Sequence, residues 1–154
     1  MLLLHLATHF QLLLTVLTIT LQWGIQQNYK LLVLCLFLFG TNRSYAIWTN
    51  DYSSGNFINF YVLSSGAITQ VFSSSNYNDG NWHNVTCIFI PSTSLKIYVD
   101  GVLDGTNTTS IPSTIDNTTA DFDLGSLVSG GSPMFPFNGN LDEVAVWNSD
   151  QTSN

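Results

Sequence analysis

Few side chains in this chain are equipped for acid–base or nucleophilic work. Glu143 is its sole glutamate. Asp121 and Asp123 stand two residues apart in Ala120–Leu124, which reads as a short strand. Period-two geometry aims both at one side of such a strand. A retaining glycosidase needs two carboxyls about 5 Å apart, one as nucleophile and one as acid. Asp121 and Asp123 are the nearest mimic, but no glutamate joins them, and they read as the solvated opening of a strand. His83 has no Ser or Cys nucleophile in a recognisable setting, so it reads as a structural histidine bonded to backbone rather than a general base. Cys35 and Cys87 lie in apolar runs and match no zinc or redox spacing. They read as two buried free thiols, with a single bridge between neighbouring strands as the alternative. No enzyme is expected from this set.

The elements that must carry these groups are strands. Phe57–Leu63 places Ile58, Phe60 and Val62 on one face and Asn59 and Tyr61 on the other. Ser64-Ser65-Gly66 turns the chain into a return strand, Ala67–Phe72, and Ser73–Gly80 reads as a loop. Trp82–Ile90 is a long strand stopped by Pro91, and Trp82 at its head is expected between two sheets as a large core side chain. Leu95–Val99 follows. Asp100-Gly101 is then the strongest hairpin signal in the chain, because a type I′ turn demands positive φ at both central residues. Ser44–Thr49 and Leu141–Trp147 are further strands, and no sustained helical period occurs beyond residue 22. Many short strands with turn chemistry between them predict an antiparallel sandwich or barrel.

Composition narrows the class. The chain has 154 residues and a formal net charge of −7, and only 8% of its residues are charged. Nucleic-acid binding needs a basic patch to displace counterions, and Lys30, Arg43 and Lys96 cannot form one. At 45% hydrophobic and 13% aromatic residues, the composition argues against disorder. Surface polarity comes from Ser, Thr and Asn, which suits an exported β domain, extracellular or surface-associated. Residues 1–16 are open to three readings: a hydrophobic leader, a membrane helix or a divergent first strand. Any membrane contact is expected through residues 1–22 alone. Thr18–Trp23 alternates with period two and reads as a strand, and Leu31–Phe39 as a strand buried on both faces. Sequons stand at Asn42, Asn84, Asn107 and Asn117.

Two segments carry a resemblance. One is Asp79-Gly80-Asn81-Trp82-His83-Asn84-Val85 with the later Tyr98-Val99-Asp100-Gly101, and the other is Phe137–Asn148, FNGNLDEVAVWN. In this order they resemble the "DG-x-WH-x-V", "YVDG" and closing "F-x-G-x-(I/L)-DE-V" patterns of laminin-G-like, concanavalin A-like jelly-roll domains, the pentraxin or lectin/glucanase superfamily. The resemblance implies an all-β, two-sheet antiparallel jelly-roll sandwich over residues 17–148, with an incomplete or atypical first strand and a tail at 149–154. It implies a non-catalytic carbohydrate-binding or adhesion module of a secreted or surface protein, with a glycan or a surface protein as partner. The other reading is a structural or protein-interaction domain of a larger surface or virus-particle protein.

If a glycan is bound, Trp48, Asn59 and Tyr61 are the expected platform, because sugar recognition pairs a flat ring with amide hydrogen bonds. In calcium-binding members of the superfamily the aspartate opening the last strand helps hold Ca²⁺, and here that residue is Asp142. The companion loop falls where MLLLHLATHF stands, without Gly or Asp.

Overall fold

A computed structural model describes residues 17–24, 44–50, 57–77, 79–117, 122–129, 132–134, 137 and 139–147. Among the described residues ten strands run in chain order: β1 (Leu17–Gly24), β2 (Tyr45–Asn50), β3 (Phe57–Ser64), β4 (Ala67–Asn76), β5 (Trp82–Ile90), β6 (Ser94–Val99), β7 (Val102–Asn107), β8 (Leu127–Ser129), β9 (Ser132–Met134) and β10 (Asn140–Trp147). No helix occurs among the described residues. A five-stranded sheet has the order β10-β1-β5-β6-β7, a three-stranded sheet the order β2-β3-β4, and β8-β9 form a separate hairpin. Every pairing is antiparallel. The architecture is a two-sheet jelly-roll sandwich, as expected. Residues 1–16 and the apolar run Leu31–Phe39, with Cys35, lie outside the described residues.

The hairpins follow from turn chemistry. Ser65 and Gly66 have φ of 52° and 76°, and Asp100 and Gly101 have 52° and 80°. Positive φ at both central residues matches the turn twist to that of the strands it joins. Each pair fixes a register, Ser64 opposite Ala67 and Val99 opposite Val102. Strand β1 is paired on both sides, with β5 and with β10. Strand β1, read from the sequence as a strand over Thr18–Trp23, is therefore an interior strand of the large sheet, while the place expected to hold an atypical first strand, residues 1–16, lies outside the described residues.

The core lies between the sheets. Ile47, Ile58, Phe60, Val62 and Val71 of the small sheet meet Val85, Cys87, Phe89, Leu95, Ile97 and Val99 of the large one. Along β5 the buried inward residues are His83, Val85, Cys87 and Phe89. This corrects the expectation for Trp82, which is 49% exposed. Alternation forces the choice: Val85, Cys87 and Phe89 set the inward phase, so His83 shares it and Trp82 faces out.

At one long edge β7 closes against β4. A Cβ built on Gly105 would overlap the carbonyl oxygen of Phe72, so only glycine allows this approach. Polar groups flank the contact. Asp104 accepts from the N–H and the Oγ–H of Ser74 at 2.7 and 2.6 Å, and Asn107 Nδ2 donates to the Gln70 carbonyl at 2.9 Å.

Two further expectations need correction. Ser73–Asn76 belongs to β4 rather than to a loop, because buried Ser73 accepts from the Ile58 N–H at 2.8 Å, beside the register shift between Phe57 and Asn59. Residues 122–124 of the expected strand Ala120–Leu124 are not in a strand. Phe122 and Leu124 are exposed, so no buried face fixes a register there.

Two substitutions test this packing. Gly105→Ala pushes β7 away from β4 and should cost on the order of 1–3 kcal/mol in urea unfolding. Phe89→Ala should cost about 3–5 kcal/mol, whereas Trp82→Ala should cost about 1 kcal/mol or less. Equal losses at positions 82 and 89 would refute the assigned phase of β5.

Candidate functional site

The expected platform residues do share one face. Register places Trp48 opposite Asn59 and Asn59 opposite Phe72, giving a row of ring, amide and ring across the outer side of the three-stranded sheet. The next row is Ala46, Tyr61 and Gln70. The members differ in access. Trp48 is half-buried, Asn59 is 0% exposed and Tyr61 3%, while Gln70 is exposed and Phe72 is 41% exposed. Asn59 and Tyr61 therefore form a floor, and contact from outside falls to the rim. Asn59 Nδ2 donates to Gln70 Oε1 at 3.1 Å, and its Oδ1 makes no hydrogen bond among the described residues.

Phe72 and Gln70 were missed by sequence reasoning, although the signal was present. A two-residue turn at Ser65-Gly66 pairs Ser64 with Ala67, and counting back along both strands brings Phe72 to Asn59 and Gln70 to Tyr61.

A second cluster joins two of the sequence motifs. His83 Nδ1 lies 2.8 Å from Asp100 Oδ2, and its Nε2 lies 3.0 Å from Asp79 Oδ1. His83 is therefore bonded to carboxylates, which corrects the expected backbone partner. Asp100 also accepts from the Asn84 N–H at 2.9 Å and donates its own N–H to the Asn84 carbonyl at 2.8 Å. Asp79 accepts from the N–H and Nδ2 of Asn81 at 2.9 and 2.8 Å. Tyr77 meets the imidazole edge-on, with centroids 5.1 Å apart.

Burial acts to lower the His83 pKa, but the hydrogen bonds and charges of Asp100 and Asp79 overcome it and hold it above 6.5. Hydrogen bonds from Asn81, with His83 adding to them, bring Asp79 down to about 2. Desolvation acts to raise Asp100, yet its bonds from His83 and Asn84 leave it lowered. Burial, helped by Asp104, pushes the Tyr77 phenol up to about 12. An imidazole with both nitrogens on carboxylates has none left to take a proton from a substrate. The Cys87 thiol is free and fully buried, and desolvation pushes it well above its ordinary value, so it is no nucleophile either.

Asp142 is exposed and sits beside a bulge. The register with β1 shifts between Thr20 and Gln22, and Glu143 takes a φ of 50°. Asp142 Oδ1 accepts from the Glu143 N–H at 2.9 Å. Calcium wants six to eight oxygens. Among the described residues no group of three or more His, Cys, Asp or Glu side chains is placed to hold a metal. Among the described residues Asp142 offers one exposed carboxylate, half engaged by the backbone, which falls well short of that shell.

Comparison with known families agrees with the geometry. A family model of laminin-G type, described as the concanavalin A-like lectin/glucanases superfamily, matches residues 27–154. The chain belongs to this superfamily. No match was found among the curated proteins. In this lectin/glucanase domain the matched span covers β2 to β10, and β1 precedes it although it is hydrogen-bonded between β5 and β10. Membership supports a lectin-like or adhesion module in general terms; the superfamily holds glycosidases as well as binding modules.

The calcium question has a direct check. The melting temperature should be the same in calcium and in chelator, and Asp142→Asn should lower it by a few degrees through a weakened acceptor worth about 1 kcal/mol. A calcium-dependent rise that Asp142→Asn removes would instead place the ion at this bulge.

Proposed function

We propose that this domain is a non-catalytic carbohydrate-binding or adhesion module of a secreted or surface protein. The observation that carries the reading is the outer face of the three-stranded sheet. Exposed Phe72 and Gln70 stand beside half-buried Trp48, with the Asn59 amide between the two rings. Rings give flat apolar contact for the C–H face of a sugar, and amides supply paired donors and acceptors for its hydroxyls. Among the described residues no charged side chain joins the two rows of this face.

The chemistry of the carboxylates supports a binding role over a hydrolytic one. Glu143, the sole glutamate, stands in the left-handed conformation of a bulge next to Asp142, away from the strand spacing that a carboxylate pair would need. A second reading, a structural or protein-interaction domain of a larger surface or virus-particle protein, draws on the same face. Ile68 is 51% exposed there, one register row beyond Gln70, and would suit an apolar protein contact.

A glycan array on the parent protein and on Phe72→Ala decides between them. Glycan binding weakened about tenfold by the substitution, a loss of about 1.4 kcal/mol, is expected. An array without binding, together with self-association that Phe72→Ala abolishes, would favour the protein contact. Incubation with laminarin or lichenan should release no reducing ends, and release that depends on Asp121 or Asp123 would overturn the non-catalytic reading.

A further inference from the structure

The cluster around His83 carries an inference about control rather than ligand. An ionised carboxylate only accepts hydrogen bonds, and a neutral imidazole has one N–H to give. His83 meets a carboxylate oxygen at each ring nitrogen, Asp100 at 2.8 Å and Asp79 at 3.0 Å. Both contacts are hydrogen bonds only when the ring carries two protons. We propose that His83 is a proton-operated latch that fastens the loop at residues 79–81 to the turn between β6 and β7.

The two arms of the latch are unequal. Asp100 is tied to Asn84 by two further hydrogen bonds, one through its carboxylate and one through its backbone N–H. Among the described residues Asp79 is held otherwise only to Asn81, inside its own loop. When the ring loses a proton to solvent, a nitrogen lone pair faces a carboxylate. The arm with less support gives way, so the loop at 79–81 swings off while the β6–β7 turn keeps its place. The titratable groups around the ring are Asp79 from the loop, Asp100 from the turn and Tyr77 from the segment after β4, with Asp104 of β7 behind the phenol. The phenol stays neutral well beyond the range in which the histidine titrates.

The sign follows from linkage. A histidine with a folded pKa raised above its ordinary 6.5 contributes stability that is fully present below 6.5 and lost as pH climbs through the raised value. Asp79, depressed to about 2 from 3.8, contributes stability present above 3.8 and lost as pH falls toward 2. The latch is closed between these limits, in mildly acidic surroundings, and opens on the alkaline side.

An NMR titration of the histidine ring protons in the full chain tests this, followed by amide hydrogen exchange at residues 81–84. The His83 midpoint should lie above 6.5, and Asp79→Asn should lower it by about half a unit or more. Asp100→Asn should lower it too. If that variant does not fold, Asp79→Asn decides alone, because Asp79 lies on an exposed loop. Exchange protection at residues 81–84, corrected for base catalysis, should fall as pH passes the midpoint in the parent and stay level in Asp79→Asn. A merely structural cluster would give protection that does not change with pH. A midpoint at or below 6.5, a midpoint unmoved by Asp79→Asn, or pH-independent protection in the parent would each overturn the latch.

Discussion

A strand has two sides, and each residue of β5 must take one of them. Val85, Cys87 and Phe89 are the part of that strand that meets Ile47, Ile58, Phe60 and Val62 across the sandwich. Once they face inward, the rest of the strand has no freedom. His83 is carried into the interior and Trp82 out of it. A buried imidazole then needs hydrogen-bond partners, since an unmet polar group costs about 1–3 kcal/mol. Asp79 and Asp100 provide them, which ties the loop before β5 and the turn after β6 to the same ring. The two sequence motifs that hold these residues thus work as one local structure.

The same alternation marks where the sequence was legible. Turn residues are local, and Ser65-Gly66 and Asp100-Gly101 form the hairpins that their types demanded. The phase of β5 at its head was not legible. Trp82 is the more apolar neighbour, and the carboxylate that favours His83 inside, Asp100, lies on another hairpin. Strand β4 was read too short for a related reason. Its serine run looks like a loop until Ser73 is seen satisfying a backbone N–H of β3 and Ser74 is seen pinned by Asp104.

For the candidate face, period two showed which side Asn59 and Tyr61 take but not what covers that side. Both faces of β3 are buried, so only the neighbouring strands present atoms outward. Strand β2 offers Trp48 in part, and β4 offers Gln70 and Phe72. The face pairs a rigid buried floor with a rim of side chains on the flanking strands. Rim residues can change without disturbing the core, since Ile58, Phe60 and Val62 point to the other side. The fold thus keeps its core and its candidate contact residues on different sides of the same sheet.

The closure of β7 on β4 has a consequence for solubility. A bare strand edge is a template on which another chain can add and begin an aggregate. Along β4 the Ser74 N–H and the Gln70 carbonyl are already taken by Asp104 and Asn107, and the Phe72 carbonyl sits against Gly105. At the far side of the large sheet, β10 carries the irregular register and left-handed residue at Asp142-Glu143, which spoil a flat run of pairing groups. Backbone geometry and hydrogen bonds turned inward thus blunt these two edges, alongside a formal net charge of −7 that repels one copy from another.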